Sequence, residues 1–413
     1  MKLLAIEVSQ FGSYFEPRYE RIEQDGSEVY VLSGNAESDH WKEGRLCVAG
    51  SKSFEDLIEA AKSLHVAQRF DGVFTFAESS VIAAAAIAEA LDLPSIGVDA
   101  ATRCRNKYYM RQEHARLGAP HPAFDLVPTL DAALSAASRI GYPVILKPTL
   151  GAGSQFVYKI HDAEELQTLY PKALNGIQSM SHIANEGQPE TRGPHSLLLE
   201  SFLDGREFLI EAYIWDGETV LGSIVDRVTL EGNHFDDDVH HAPTDLTPEQ
   251  IKQVRDAVHQ GAVAQGLRRS VMHAEIRFHE GKPYILEIAA RPGGGGLDFM
   301  ARLSAGYCPL RATIDIACGK RPEHSAYTPT GKDTFALCLI PDEGEIASIA
   351  VPQEILDDPS VFLLKMVVSA GSTIRRPPNG NDIGGFLGVY GAGRNETEIK
   401  AKRYAAAIAF EMK

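Results

Sequence analysis

Cysteine is scarce in this chain, and no spacing pairs it. The five cysteines, Cys47, Cys104, Cys308, Cys318 and Cys338, are scattered, odd in number and nowhere arranged as Cys-x-x-Cys. This argues against a disulfide framework and a Cys-ligated zinc site, and fits a reducing, cytoplasmic setting. Long apolar runs are also missing. The longest, residues 81–91, contains Glu89 and falls well short of the ~20 residues that span a bilayer. The opening residues reach Glu7 before a signal-type apolar region could form. A soluble protein with no membrane partner is expected. Positive charge is in deficit, 40 Lys+Arg against 56 Asp+Glu for a net charge of −16. Such a chain makes a poor general nucleic-acid binder, although a local basic cluster can still hold an anionic ligand. There is no GxxxxGK[ST] P-loop, no GxGxxG fingerprint, no internal repeat and no legible Ser-His-Asp or Cys-His arrangement.

What is present is a folded composition, with 44% hydrophobic and 23% charged residues over 413 positions. That length allows two or three domains and a core large enough to need no staples. The first hundred residues alternate buried strands (3–8, 29–32, 72–76) with helices. The helix expected over 53–64 has Ser53 as N-cap and Asp56 three residues on, and residues 79–91 form an Ala-rich helix. Strand–helix–strand at these lengths predicts parallel βαβ units in an open α/β sheet. Glu78 falls just past a strand's carboxyl end, where ligand sites of such sheets gather; a solvated carboxylate at a helix start fits it equally well. Arg103, Arg105, Lys107 and Arg111 form the densest basic cluster. A helix follows to Leu117, then a helix near 131–140, strands at 142–147 and 155–160, and a loop over 174–196. Strands dominate from 196 to 287, broken by a helix from Pro248 to about Gly266. The tail from Arg311 is mixed, ending in a helix expected over 396–410.

Three segments carry chemistry. Lys147 and the glycine turn Gly151-Ala152-Gly153-Ser154 lie between two strands, where backbone N–H groups, a hydroxyl and an ammonium can meet a phosphate. Taken alone, such a segment is more often a plain β-turn. Glu275 and Glu287 lie on two strands joined by the turn 279–282, and pairing Phe278 with Tyr284 places them opposite one another on one face. Facing carboxylates repel unless a cation lies between them, and Mg²⁺ accepts such a pair together with phosphate oxygens. Four residues later comes Arg291-Pro292-Gly293-Gly294-Gly295-Gly296. An arginine beside a run of unobstructed N–H groups suits a carboxylate, acyl phosphate or oxyanion.

These segments, with Asn106–Arg111, Gly141–Pro148 and Glu200–Glu207, stand in an order and spacing that resembles the ATP-grasp superfamily over about residues 70–310. Glu287-x-x-x-Arg291-Pro292-Gly293-Gly294 and the long C-terminal region resemble the L-amino acid ligases that make dipeptides and their carnosine-synthase-like relatives. The resemblance implies an α/β, ATP-grasp fold with an N-terminal Rossmann-like pre-ATP-grasp domain (1–102), a small lid subdomain with linker helix (103–195), and a large subdomain with a C-terminal α+β extension (196–413). It implies ATP and Mg²⁺, or alternatively Mn²⁺, as cofactors, small-molecule amino acid substrates, an acyl phosphate intermediate, and a chain able to form a homodimer. Carried over, Lys107 and Lys147 meet ATP phosphates, with Gly151, Gly153 and Ser154 in the lid turn. Glu200, Ser201 and Leu203 meet adenine and Glu207 the ribose. Glu275 and Glu287 hold metal, Arg291 and His241 act in catalysis, and Gly293, Gly294 and Gly295 line the substrate site. His240 and His241 lie in a loop resembling one that faces the phosphates; a surface histidine pair fits equally well. Many family members carry Asn where Ala289 stands, which leaves the metal count open. The alternatives are another ATP-grasp reaction, of purine-pathway or biotin-carboxylase-like type, and a nucleotide-binding subunit without turnover.

Overall fold

The computed structural model describes residues 1–8, 15–34, 41–49, 51, 53–151, 155–179, 195–229, 238–375 and 382–413. Strands β1 (Lys2–Glu7), β2 (Glu28–Ser33), β3 (Leu46–Val48) and β4 (Gly72–Phe74) form a parallel sheet ordered β3-β2-β1-β4. Its two faces are covered by helices such as Glu16–Gln24 and Phe54–Gln68, as βαβ connections require. Ser53 caps the second of these by accepting from the Asp56 N–H, as its position predicts. Glu78 follows β4 in a short 3₁₀ turn leading into the helix Val81–Ala90.

At the end of β1, Glu7 is fully buried and accepts a hydrogen bond from the Tyr19 hydroxyl. Burial pushes its carboxyl up to about 8, against the smaller opposing pulls of that bond and of Arg18. The folded protein therefore holds a proton that the unfolded chain has released above its ordinary carboxyl value of 4.5. The stability from this group is complete below that value and is lost as pH rises towards 8. Glu7→Gln, which keeps an acceptor for Tyr19, should match wild type near pH 4.5 in urea unfolding and exceed it by a few kcal/mol at pH 8. Parallel stability–pH curves for the two proteins would refute this.

A second sheet joins β5 (Phe124–Leu126), β6 (Val144–Pro148), β7 (Tyr158–Ile160) and β8 (Leu197–Ser201) in the order β5-β8-β6-β7. The helices Leu130–Ile140 and Ala163–Ser179 cover it. Two expectations change here. The loop expected over 174–196 is helical as far as Ser179, and 180–194 lie outside the described residues. The boundary expected at 195/196 separates β8 from the sheet in which it pairs with both β5 and β6.

The third sheet has eight strands. These are β9 (Glu207–Trp215), β10 (Glu218–Thr229), β11 (Asp238–Ala242), β12 (Arg269–His279), β13 (Lys282–Ala289), β14 (Asp333–Leu339), β16 (Val361–Met366) and β18 (Gly385–Gly391), in the order β13-β12-β9-β10-β11-β14-β18-β16. A small sheet of β15 (Gly344–Ala350), β17 (Thr373–Ile374) and β19 (Ala409–Met412) completes the C-terminal region. The last helix runs Arg394–Ala407, and Phe410 pairs with Ile349 in β19 instead of extending it. One face of the eight-stranded sheet carries Phe208, Ile210, Ile224, Ala274 and Ile276 into the largest core cluster, against the helix Pro248–Gln265 with its Thr247–Gln250 capping box. The other face carries the site. None of the cysteines forms a disulfide, and no helix among the described residues is long and apolar enough to cross a membrane.

Candidate active site

The site face follows from register. Glu275 stands opposite Glu287 on β13 and Leu209 on β9, and Leu209 stands opposite Val225. Strand alternation puts the rows two residues either side on that face as well: His273, Glu211 and Ser223 in one, Arg277, Glu207, Arg227 and His240 in the other. The pairing that creates the carboxylate couple differs from the expected one. Phe278 pairs with Pro283, not Tyr284, and the hairpin alone would misalign Glu275 and Glu287 by one residue. A β-bulge beyond Ile276–Ile285 absorbs the offset, leaving Leu286 as the extra residue. The Leu286 carbonyl accepts from Arg111 Nη2 at 2.7 Å, which anchors the bulge.

Lys107 is the first residue of the helix Lys107–Leu117, whose Asn106 cap accepts from the Tyr108 and Tyr109 N–H groups. Its backbone N–H holds the Thr149 carbonyl, and its Nζ lies 3.0 Å from Glu287 Oε2. Lys147, on β6, lies 2.7 Å from Glu200 Oε2, while Arg111 Nε lies 2.8 Å from Glu200 Oε1. Burial draws the Lys147 ammonium below its ordinary value despite the nearby Glu200. Burial opposes ionisation of Glu287 too, but Lys107, Lys147 and Arg291 together outweigh it and hold that carboxyl well below its usual range. Glu275 shifts the opposite way, raised by burial and by the charge of Glu287. Among the described residues no three His, Cys, Asp or Glu side chains are grouped to hold a metal. Two facing carboxylates still fit Mg²⁺ or Mn²⁺, because phosphate oxygens and waters complete such a shell.

Arg291 lies on the same side, its Nε 2.6 Å from Glu78 Oε2 and its Nη1 donating to the Pro292 carbonyl at 2.8 Å. Glu78 thus belongs to the cluster. Gly293 does not offer open backbone to a ligand as expected. Its N–H donates to Glu211, its carbonyl accepts from Arg18, and a Cβ there would lie 2.5 Å from Glu211 Oε1 and 2.6 Å from Leu297. The Gly294 carbonyl accepts from the Leu297 N–H at the start of the helix Leu297–Ala305. At Gly295, with φ +58°, an added Cβ would touch the Phe386 ring at 3.7 Å, an ordinary contact distance.

His241 is the clearest correction. Residues 240 and 241 point to opposite faces of β11, and it is His240 that shares the face of Glu275. His241 is buried behind the sheet, 3.4 Å from Asp333, where burial and the nearby Arg394 lower its pKa. Glu207 lies on the site face, its carboxylate bridged by Arg227 at 2.6 Å and by Arg277. Ser201 Oγ accepts from the Ala123 N–H, and the Leu203 carbonyl accepts from Arg277. The Gly151 carbonyl accepts from Arg105 at 2.9 Å. Gly153 and Ser154 lie outside the described residues. Sequence reading missed Glu211, Arg227 and Arg277. Glu211 could have been found, because Glu207 and Glu211 are four residues apart on one strand and so share a face.

Three family models match in chain order: an ATP-grasp N-terminal domain over 26–95, an ATP-grasp domain over 140–298 and an L-amino acid ligase C-terminal domain 2 over 336–413. Protein y4rH of Sinorhizobium fredii is 26% identical over 340 residues, covering 82% of this chain and 67% of that protein. Carnosine synthase 1 of Homo sapiens is 25% identical over 264 residues, covering 62% of this chain and only 31% of that much longer protein. The crystal structure of L-amino acid ligase from Bacillus licheniformis superposes with a TM-score of 0.81 over 100% of this chain and 99% of that one, at 22% identity. With these domains in this order on this fold, the chain belongs to the ATP-grasp superfamily and resembles its L-amino acid ligases.

Proposed function

We propose that this protein is an ATP-dependent carboxylate–amine ligase that joins two amino acids. The observation carrying this reading is the convergence of Glu275, Glu287, Lys107, Lys147 and Arg291 on one side of one sheet. A donor carboxylate oxygen attacks the γ-phosphorus of ATP, and the bond to the ADP oxygen breaks. The amine then attacks the acyl carbon, phosphate leaves with its oxygen, and the amine proton passes to solvent. Glu275 and Glu287 would hold Mg²⁺, which would supply charge neutralisation for the transferring phosphoryl group. Lys107, placed beside Glu287 at 3.0 Å, would meet an ATP phosphate. Arg291 neutralises charge on the donor or acyl phosphate. The expected role of a phosphate-facing histidine passes from His241 to His240. Ser201 and Leu203 would face adenine, while the Glu200 carboxylate is held by Arg111 and Lys147.

Phosphate release from ATP decides the reading, measured with pooled amino acids, with bicarbonate and with no addition. Release dependent on amino acids is expected. Release dependent only on bicarbonate would indicate a carboxylase-type reaction, and ATP binding without release a nucleotide-binding subunit. The absence of a side chain at Gly295 adds a specificity test. Gly295→Trp should lower kcat/KM for large donors by several-fold to roughly a hundredfold and spare small ones. Gly295→Ala shares the positive-φ strain without the bulk. Equal losses for both donors in the tryptophan variant would show that the residue serves only the turn.

A further inference from the structure

A buried carboxylate is costly unless it is paired, and Glu211 is 1% exposed in a row beside Leu209 and Val225. Its partners are specific. Oε1 lies 2.7 Å from His273 Nδ1, and its two oxygens accept from the Gly293 N–H at 3.0 and 3.2 Å. The approach is close enough that Gly293 has no room for a Cβ, which would lie 2.8 Å from His273 Nδ1.

The N–H that Glu211 holds belongs to the Pro292–Gly293 peptide. The carbonyl of that same peptide accepts from Arg291 Nη1 at 2.8 Å. A peptide group is a rigid plane, so rotating its N–H rotates its carbonyl by the same amount. Glu211 and the Arg291 guanidinium are therefore linked through one stiff unit, Glu211 gripping one edge and Arg291 the other. Arg18 Nη2 fixes the next carbonyl, that of Gly293, at 2.7 Å, so the turn cannot shift as a whole. Glu78 holds Arg291 Nε. Fixing the plane thus settles where the remaining N–H groups of the guanidinium point.

We propose that Glu211, oriented by His273, is a positioning residue that sets the Pro292–Gly293 peptide plane and through it aims the Arg291 guanidinium at the reacting carboxylate. The inference rests on the ligase reading for its chemistry and on the peptide geometry for its mechanics. It also accounts for a buried glutamate that neither touches Mg²⁺ ligands nor fills an apolar core.

The test compares Glu211→Leu, which has no acceptor, with Glu211→Gln, which keeps an amide oxygen for the Gly293 N–H. At saturating ATP and donor, the leucine variant should lose roughly 10–100-fold in kcat, the scale of removing an outer-shell partner. Its ATP affinity should be unchanged, and the glutamine variant should recover to within about fivefold of wild type. Combining Glu211→Leu with Arg291→Lys should cost little more than the worse single change, because both act on one guanidinium. A folded leucine variant with kcat within about threefold of wild type, or losses that multiply, would overturn the proposal. A second readout needs no turnover. The Arg291 Nη1–H resonance, assigned by its loss in Arg291→Lys, should exchange slowly in wild type, where it holds the Pro292 carbonyl, and in Glu211→Gln, and rapidly in Glu211→Leu. Unchanged exchange in the leucine variant would overturn the clamp whatever the wild type catalyses. An absence of amino-acid-dependent phosphate release with the exchange pattern intact would instead sink only the ligase reading.

Discussion

Glu287→Gln should remove about a thousandfold of turnover while leaving a folded protein. Glu287 is half of the facing carboxylate pair and the partner of Lys107 at 3.0 Å. An amide keeps the shape but carries no charge, so a metal at this position loses affinity and placement together. Metal stabilisation of a transferring phosphoryl group is worth several kcal/mol, and about 4 kcal/mol corresponds to a thousandfold. Lys107 simultaneously loses the carboxylate that holds it in the site. The fold should survive because glutamine keeps the size and hydrogen-bonding capacity of the side chain and the bulge beside it is anchored independently by Arg111 on the Leu286 carbonyl. A near wild-type rate at saturating Mg²⁺ would mean that Glu287 holds no metal, and a collapsed thermal transition would mean that its role is structural.

Arg291→Lys should cost roughly a hundredfold in kcat, the scale of one lost charge-stabilising donor. The guanidinium places Nε on Glu78 at 2.6 Å and Nη1 on the Pro292 carbonyl at 2.8 Å. A lysine ammonium is a single point of donation at the end of a flexible stem. It can follow Glu78 or the Pro292 carbonyl, but it cannot hold Glu78, the peptide plane and a substrate oxygen in one geometry. Charge is preserved, so ATP affinity should change little and the loss should fall on the chemical step. Turnover within about a factor of three of wild type would show that any cation suffices and that the fork geometry is irrelevant.

How legible the site was depended on the range of the forces involved. The Glu275/Glu287 pair and Arg291 were readable because they fall close together in the chain and stand in order with the other segments, although no one stretch was specific by itself. The register was another matter. The expected Phe278–Tyr284 pairing is one residue out, and the carboxylates face each other only because the bulge at Leu286 compensates. Nothing local marks that bulge, since its anchor is Arg111, 175 residues away in sequence. The same limit exchanged His240 for His241, neighbours whose alternation is certain but whose facing is set by the strand pairing with β10 and β14. It also hid the engagement of Glu207 by Arg227 and Arg277, and the closing of the space around Gly293 by Glu211, His273 and Leu297.

By itself the sequence determined the parallel βαβ units of the first hundred residues, the helix starts at Ser53 and Pro248, and the residue types of the groups that meet at the site. These are properties of spacing, capping and residue type, all carried within a few positions of chain. Tertiary structure alone decided that β8 joins the smaller sheet, that the last residues pair as β19, which histidine faces the carboxylates, and that Glu211 grips the peptide on which Arg291 leans. The physical reason is that a hydrogen bond or ion pair between distant segments depends on register and on which face is buried. Those are settled when whole sheets and helices cover one another's apolar surfaces, and no single stretch of the chain carries that information.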